Sequence, residues 1–170
     1  SRITVVQNAT DTKSLGAARD AVTVETASAV RRSLDLAGET CVFVGGLDAS
    51  KRLDFLVAAG QEIHRKIPGF GLLIVGDGAM RGGIERAAAR MPWMRVLGRA
   101  TGQRLAEIGA VSALMLNPGS VGLVAVDSFA LLTPIVASRG PFHGPEMDYL
   151  IDGKNAVITE STVSDYASRV

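Results

Sequence analysis

The order of apolar and polar stretches predicts an α/β protein, an open parallel sheet with helices on both faces. Three observations carry this. Short apolar runs alternate with segments of helical period along nearly the whole chain. The run Cys41-Val42-Phe43-Val44 is apolar throughout, as a central strand buried on both faces requires, and Leu72-Leu73-Ile74-Val75 is a second core run. Most connections between runs are long enough to hold a helix, which parallel neighbours need and hairpins do not.

A length of 170 residues suits one domain, spanning 1–170. With 47% apolar and 21% charged residues the chain can build a sizeable core. The net charge of +1 gives no electrostatic case for nucleic acid or an anionic membrane surface. No apolar run is long enough to span a bilayer. The single Cys41 sits in an apolar run, so no disulfide forms within one chain, which fits a reducing, cytoplasmic compartment. The abrupt opening at Ser1-Arg2-Ile3, and an end at Val170 inside a helix-patterned segment, read as cuts through a longer protein.

In chain order, residues 3–6 read as a short strand and 7–12 as a polar turn, where Asn8 and Asp11 suit turn and capping positions. Residues 13–20 are weakly patterned. Over 23–36, Val24, Ala27, Val30 and Leu34 recur at helical spacing, with Gly38 as a stop. A strand follows at 40–44, ended by Gly45-Gly46. A helix from about residue 51 to 66 aligns Leu53, Leu56, Gly60 and Ile63 and ends at Pro68-Gly69. Strand 72–75 leads into Gly76-Asp77-Gly78, and helix 81–90 into strand 94–97 and Gly98. A short helix at 104–108 and a strand at 113–116 precede the turn Asn117-Pro118-Gly119-Ser120. A helix at 121–132 and a strand at 135–137 come next. Residues 139–148 read as irregular, 149–158 as a turn and short strand, and a last helix starts at a Ser161-Thr162 cap.

Ligands of open parallel sheets bind beyond the carboxyl ends of the strands. Four glycine-rich or polar turns fall there: Gly45-Gly46, Gly76-Asp77-Gly78, Gly98-Arg99 and Pro118-Gly119-Ser120. That edge favours a nucleotide-sized ligand, although Gly76-x-Gly78 lacks the third glycine of the dinucleotide fingerprint and no P-loop is present. After the strand at 113–116, helix-start amides face a turn in which Gly119 and Gly122 let a phosphate approach closely. Lys51, placed at a predicted helix start, is disfavoured there by roughly 0.3–1 kcal/mol, which a bound anion would offset. His143 and Glu146 have no evident third partner, so no metal is expected. His64 reads as a helix-surface residue without a role.

Several of these stretches together resemble the retaining GT-B glycosyltransferases, the glycosyl transferases group 1 family. Its donor signature runs Glu-Gly-Phe-Gly-Leu, then a second Glu, then a strand like Pro-Val-Val. Here Val121-Gly122-Leu123 takes the Phe-Gly-Leu place, Asp127 the second Glu, and Thr133-Pro134-Ile135-Val136 the closing strand, with Leu132 in place of a Gly. Gly119 stands where the first Glu is usual. Gly45-Gly46-Leu47 followed by Lys51 is similar to the family's Gly-Arg-Leu-x-x-x-Lys, whose Arg and Lys clamp the donor pyrophosphate. Gly46 replaces that Arg, with Arg52 or Arg99 as substitutes. Gly76-Asp77-Gly78 and Val96-Leu97-Gly98 resemble further strand ends of the family, the latter where backbone groups meet the nucleobase. His143-Gly144-Pro145-Glu146, ahead of Tyr149-Leu150, resembles a loop of one branch that lies near the donor or acceptor, which makes Glu146 a candidate partial replacement for the missing first Glu.

The resemblance implies a Rossmann-like sheet that is one half of a GT-B fold, the donor-binding C-terminal half, with a missing N-terminal domain as its partner. Any peripheral membrane contact is assigned to that missing half. It implies retaining transfer of a sugar from a UDP- or GDP-linked donor to a glycan, lipid or other acceptor, as in polysaccharide biosynthesis, without a cofactor or metal. The residues it implies for the donor are Gly45, Gly46, Lys51, Arg52, Gly76, Leu97, Gly98, Gly119, Ser120, Val121, Gly122, Leu123 and Asp127. Lys51 and Glu146 are the implied catalytic residues, and this half alone is expected to bind nucleotide without turnover. Two other readings stand beside it. A GT-B sugar-nucleotide epimerase would need acid–base carboxylates and histidines in the cleft, and only two histidines are present. A binding module without catalysis would explain Gly46 and Gly119.

Overall fold

The computed structural model describes residues 11–170, so the expected strand at 3–6 and the turn residue Asn8 lie outside the described residues. Among the described residues six strands form one parallel sheet: β1 (Thr40–Val44), β2 (Gly71–Val75), β3 (Met94–Gly98), β4 (Leu114–Asn117), β5 (Ile135–Ser138) and β6 (Ala156–Thr159). Their spatial order is β3-β2-β1-β4-β5-β6, with β1 in register from Thr40 opposite Gly71 and from Cys41 opposite Leu114. The order reverses between β1 and β4, and in such sheets ligands sit in the crevice outside this point.

Seven α-helices of the described residues cover the sheet: α1 (Thr12–Asp20), α2 (Val24–Ser33), α3 (Leu53–Lys66), α4 (Arg81–Ala88), α5 (Gly102–Ala110), α6 (Val124–Ala130) and α7 (Val163–Ser168). Alternation along the strands sends side chains to two cores. Val42, Leu73, Met115 and Ile135 pack with α1, α2, α5 and α6, while Phe43, Leu72, Leu116 and Val136 pack with α3, α4 and α7. Each such side chain, fully removed from water, contributes about 1.5–3 kcal/mol before chain entropy opposes it. α7 is pinned under β5 by the buried Tyr166, whose hydroxyl donates to the Val136 carbonyl at 2.8 Å.

Side-chain caps set where helices begin. Asp11 accepts from the Lys13 and Ser14 amides and starts α1 in the weakly patterned segment, Thr23 starts α2, and Thr162 starts α7 as the sequence suggests. Most expected helices shift at their ends, and two of the shifts bear on the sheet's carboxyl edge. The predicted helix at 51–66 divides: a 3-10 turn occupies Ala49–Lys51, Arg52 adopts the left-handed region at φ 52°, and α3 begins only at Leu53. The cause is Asp48, whose carboxylate accepts from the Ser50 amide at 2.8 Å and closes the tight turn. The helix expected at 121–132 shrinks to α6, because residues 118–123 stay irregular and lie against Ser50 and Lys51. Within the segment expected to be irregular, Pro145–Tyr149 forms a 3-10 turn.

Candidate functional site

The carboxyl edge of the sheet is built in two ways. On the side of β1, β2 and β3 the loops are joined backbone to backbone. The Leu47 amide donates to the Asp77 carbonyl at 2.9 Å, Met80 to Leu47 at 2.8 Å, and Gly76 to Gly98 at 2.9 Å. Gly76 has a φ of 149°, and a Cβ there would collide with the Gly45 carbonyl oxygen. Its lack of a side chain is thus required by the neighbouring loop before any ligand is considered. These loops enclose an open groove of about 300 Å³ lined by Gly45, Gly46, Gly76, Asp77 and Arg99, among others. Arg99 is highly exposed, and the Asp77 carboxylate 4.0 Å away is shared with Arg81 at 3.5 Å. The side chain of Leu97 packs toward the core, so only its backbone is turned to this edge.

On the side of β4, β5 and β6 the turns are tied by side chains. Lys51 is half-buried, and its Nζ donates to the Ser120 carbonyl at 2.6 Å. In return the Ser120 amide donates to the Ser50 carbonyl at 2.9 Å. Gly119 lies so close beneath that a Cβ there would stand 2.5 Å from the Ser50 carbonyl oxygen. Burial of the Lys51 ammonium lowers its pKa, and the Asp48 carboxylate pulls the other way. The lysine is therefore not a solvent-facing residue at a helix start. It is a cation held against the turn after β4, across the switch point from β1.

Arg52 turns its guanidinium to the far loops. It donates to the Pro118 carbonyl at 3.2 Å, the Ser138 hydroxyl at 3.1 Å and the Ser161 hydroxyl at 2.7 Å, and lies between the rings of Phe55 and Phe142. Phe142 belongs to the segment 139–149, a strap that crosses the turn. His143 of the strap meets the Val121 amide at 3.2 Å, and the Gly144 amide donates to the Val121 carbonyl at 2.8 Å. Glu146 is buried at 4% exposure, its carboxylate folded back toward Gly144. The structure thus brings Lys51, Gly119, Ser120, Val121 and Glu146 together at one turn, with Gly45, Gly46, Gly76, Leu97 and Gly98 along the groove beside it.

Gly122 and Leu123 lead into α6. Asp127, on the first turn of α6, is about half-buried with no hydrogen bond to its carboxylate among the described residues, and that burial raises its pKa. Asn117, fully buried at the end of β4, has a carboxamide with no hydrogen-bond partner. Leaving such a group unpaired costs about 1–3 kcal/mol. His64 lies at the opposite, amino edge, stacked on Trp93 with ring centres 5.4 Å apart. Among the described residues, no group of three or more His, Cys, Asp or Glu side chains is placed to hold a metal ion. None of their helices is long and apolar enough to cross a membrane. Ser138 and Ser161, the partners of Arg52, carry no sequence signal because they lie 86 and 109 residues away.

The family of Glycosyl transferases group 1 matches residues 38–170, which includes every strand of the sheet. The chain belongs to this family. A relative named D-inositol 3-phosphate glycosyltransferase, from Segniliparus rotundus, is 33% identical over 116 residues. That match covers 62% of this chain and 26% of the relative, so the chain spans about a quarter of that protein's length. Among solved structures, HepE from Anabaena, in complex with UDP and glucose, aligns over 87% of this chain and 42% of its own, with a TM-score of 0.71 at 17% identity. The C-terminal domain of a group 1 family protein, LpcC from Francisella tularensis, aligns over 81% of this chain and 76% of its own, with a TM-score of 0.65 at 14% identity. At these identities the likeness is one of fold, and it bears out the Rossmann-like sheet.

Proposed function

We propose that this chain is the donor-binding domain of a two-domain GT-B glycosyltransferase that moves a sugar, with retention, from a nucleoside diphosphate. The single observation that carries this reading is the convergence of Lys51 and the 118–121 turn at the switch point between β1 and β4. The nucleoside extends along the glycine-lined groove, and the diphosphate lies against Lys51 and the turn. Arg99, exposed at the rim, adds positive charge where Gly46 has no side chain. Asp127 accepts hydrogen bonds from the ribose hydroxyls. The departing diphosphate is stabilised by the Lys51 ammonium and backbone amides rather than by a metal.

The crowding beneath Gly119 gives Glu146 its place in this reading. A side chain at position 119 would displace the Ser50–Lys51 backbone, so the carboxylate comes from the strap above. HepE has been solved with UDP and with glucose, which supports a uridine donor for a protein of this fold. The buried Cys41 thiol, pushed up to about 12 by burial, is unreactive and suits a cytoplasmic setting. Isothermal titration with UDP, GDP and their sugar conjugates tests the proposal. Binding of one nucleotide, weakened at least about tenfold by Lys51→Ala and by Asp127→Ala, is expected from the loss of a charge-assisted contact. Binding that ignores both substitutions would overturn the site.

A further inference from the structure

The imidazole of His143 bridges two backbone groups of different elements. Its Nδ1 accepts from the Val121 amide at 3.2 Å, and its Nε2 lies 2.8 Å from the Ser138 carbonyl oxygen. A carbonyl only accepts, so Nε2 carries the hydrogen and Nδ1 the lone pair, which is a neutral ring. The ring holds the N–H of the same Ser120–Val121 peptide whose carbonyl Lys51 holds from the other side.

The charges around it are few. Lys51 and Arg52 face the ring from the segment before α3, and both disfavour a second cation there. Glu146 is on the strap itself. The 117–123 turn brings no titratable side chain. At the end of β5, Arg139 pairs with Glu160 at 3.1 Å. Burial is the larger cause that keeps the imidazole neutral, the two cations add to it, and the bond to Ser138 opposes both.

We infer that His143 is a proton-linked latch on the donor site: the neutral ring holds the Val121 amide, and a diphosphate bound at the turn draws a proton onto Nδ1. This rests on the donor-domain reading above. The proton comes from solvent and adds to the Nδ1 lone pair. Nδ1 then becomes a donor, and the Val121 amide, losing its acceptor, turns to the anion. One acceptor beside the diphosphate is exchanged for two donors. The dianion also offsets Lys51 and Arg52, which removes their opposition to the imidazolium. The sign follows from linkage. The complex raises the His143 pKa, so affinity is highest in acid and declines as pH rises through the pKa of the complex. Each unit of difference is about tenfold in affinity.

The test is a histidine NMR titration of the protein with and without saturating UDP-glucose or GDP-mannose, probes whose diphosphate is esterified at both ends and does not titrate near neutrality. His64 is the only other histidine, and His64→Gln assigns the signals. The expected result is a rise of about one unit in the His143 midpoint with no change at His64, and affinity that declines about tenfold across the histidine range. His143→Asn keeps an acceptor for the Val121 amide but binds no proton, so its affinity is expected to be flat with pH. Binding that leaves the His143 midpoint unmoved, or a pH slope that survives in His143→Asn, overturns the latch. Binding of neither sugar nucleotide overturns the donor-domain reading and the latch with it.

Discussion

The two halves of the carboxyl edge solve the same problem by different means. Along β1, β2 and β3 the loops lie directly on one another, backbone on backbone, and glycines make that contact possible. Along β4, β5 and β6 backbone contacts such as Ser120 to Ser50 are supplemented by side-chain ties from Lys51, Arg52 and His143. Backbone contact fixes a shape and leaves an open groove. Side-chain ties fix a shape too, but they place charge at it and can be broken by a proton or a competing anion. On the reading proposed above, the first half would receive a flat, neutral group and the second the charged one.

The sharpest way to break this contrast is Gly76→Ala. A Cβ would collide with the Gly45 carbonyl, and φ is 149°. Strain and overpacking together are expected to cost about 3 kcal/mol or more. A urea midpoint lowered at constant m-value checks it. A stable Gly76→Ala protein that merely loses nucleotide would show that the glycine serves the ligand and not the loop.

Arg52→Ala strikes the other half. It removes three hydrogen bonds from a cation and two ring contacts, so a loss of about 2–3 kcal/mol is expected. The effect should be local. Amide exchange is expected to quicken in the strap and the 118–121 turn while β1 and β2 remain protected. Uniform quickening over the whole sheet would mean that the ties carry the global fold, and the contrast between the halves would fail.

How far these features could be read in advance follows from the same physics. Runs such as Leu72-Leu73-Ile74-Val75 and glycine pairs such as Gly45-Gly46 are local, so the sheet and its edge were legible. The resemblance pointed to Lys51 and Asp127, and the structure places Lys51 against the turn after β4 and Asp127 on the first turn of α6. What stayed hidden was pairing over distance. Lys51 reaches a carbonyl 69 residues away, and Arg52 a hydroxyl 109 residues away, with no local mark of either. The break before α3 had a signal, since Asp48-Ala49-Ser50 is a short Asx-type turn that competes with helix. Glycine at position 119 read as a missing carboxylate, whereas its neighbours show a crowded contact that allows no side chain.

The smallest expected effect compares two residues with one backbone conformation. Arg52 and Leu132 both sit in the left-handed region at φ 52°. Arg52 is held there by its ties. Leu132, in the turn from α6 to β5, is 67% exposed and has no such anchor. For an ordinary residue this conformation costs about 1–2 kcal/mol, and glycine avoids it. Leu132→Gly is therefore expected to gain about 1 kcal/mol, after the greater freedom of glycine in the unfolded chain is subtracted. Arg52→Gly relieves the same strain but loses three hydrogen bonds, so its net effect is a loss. Opposite signs in thermal melts of the two glycine variants would separate a strain that is anchored from one that is merely tolerated. Gains at both sites would mean that the ties of Arg52 contribute less than the conformation they impose.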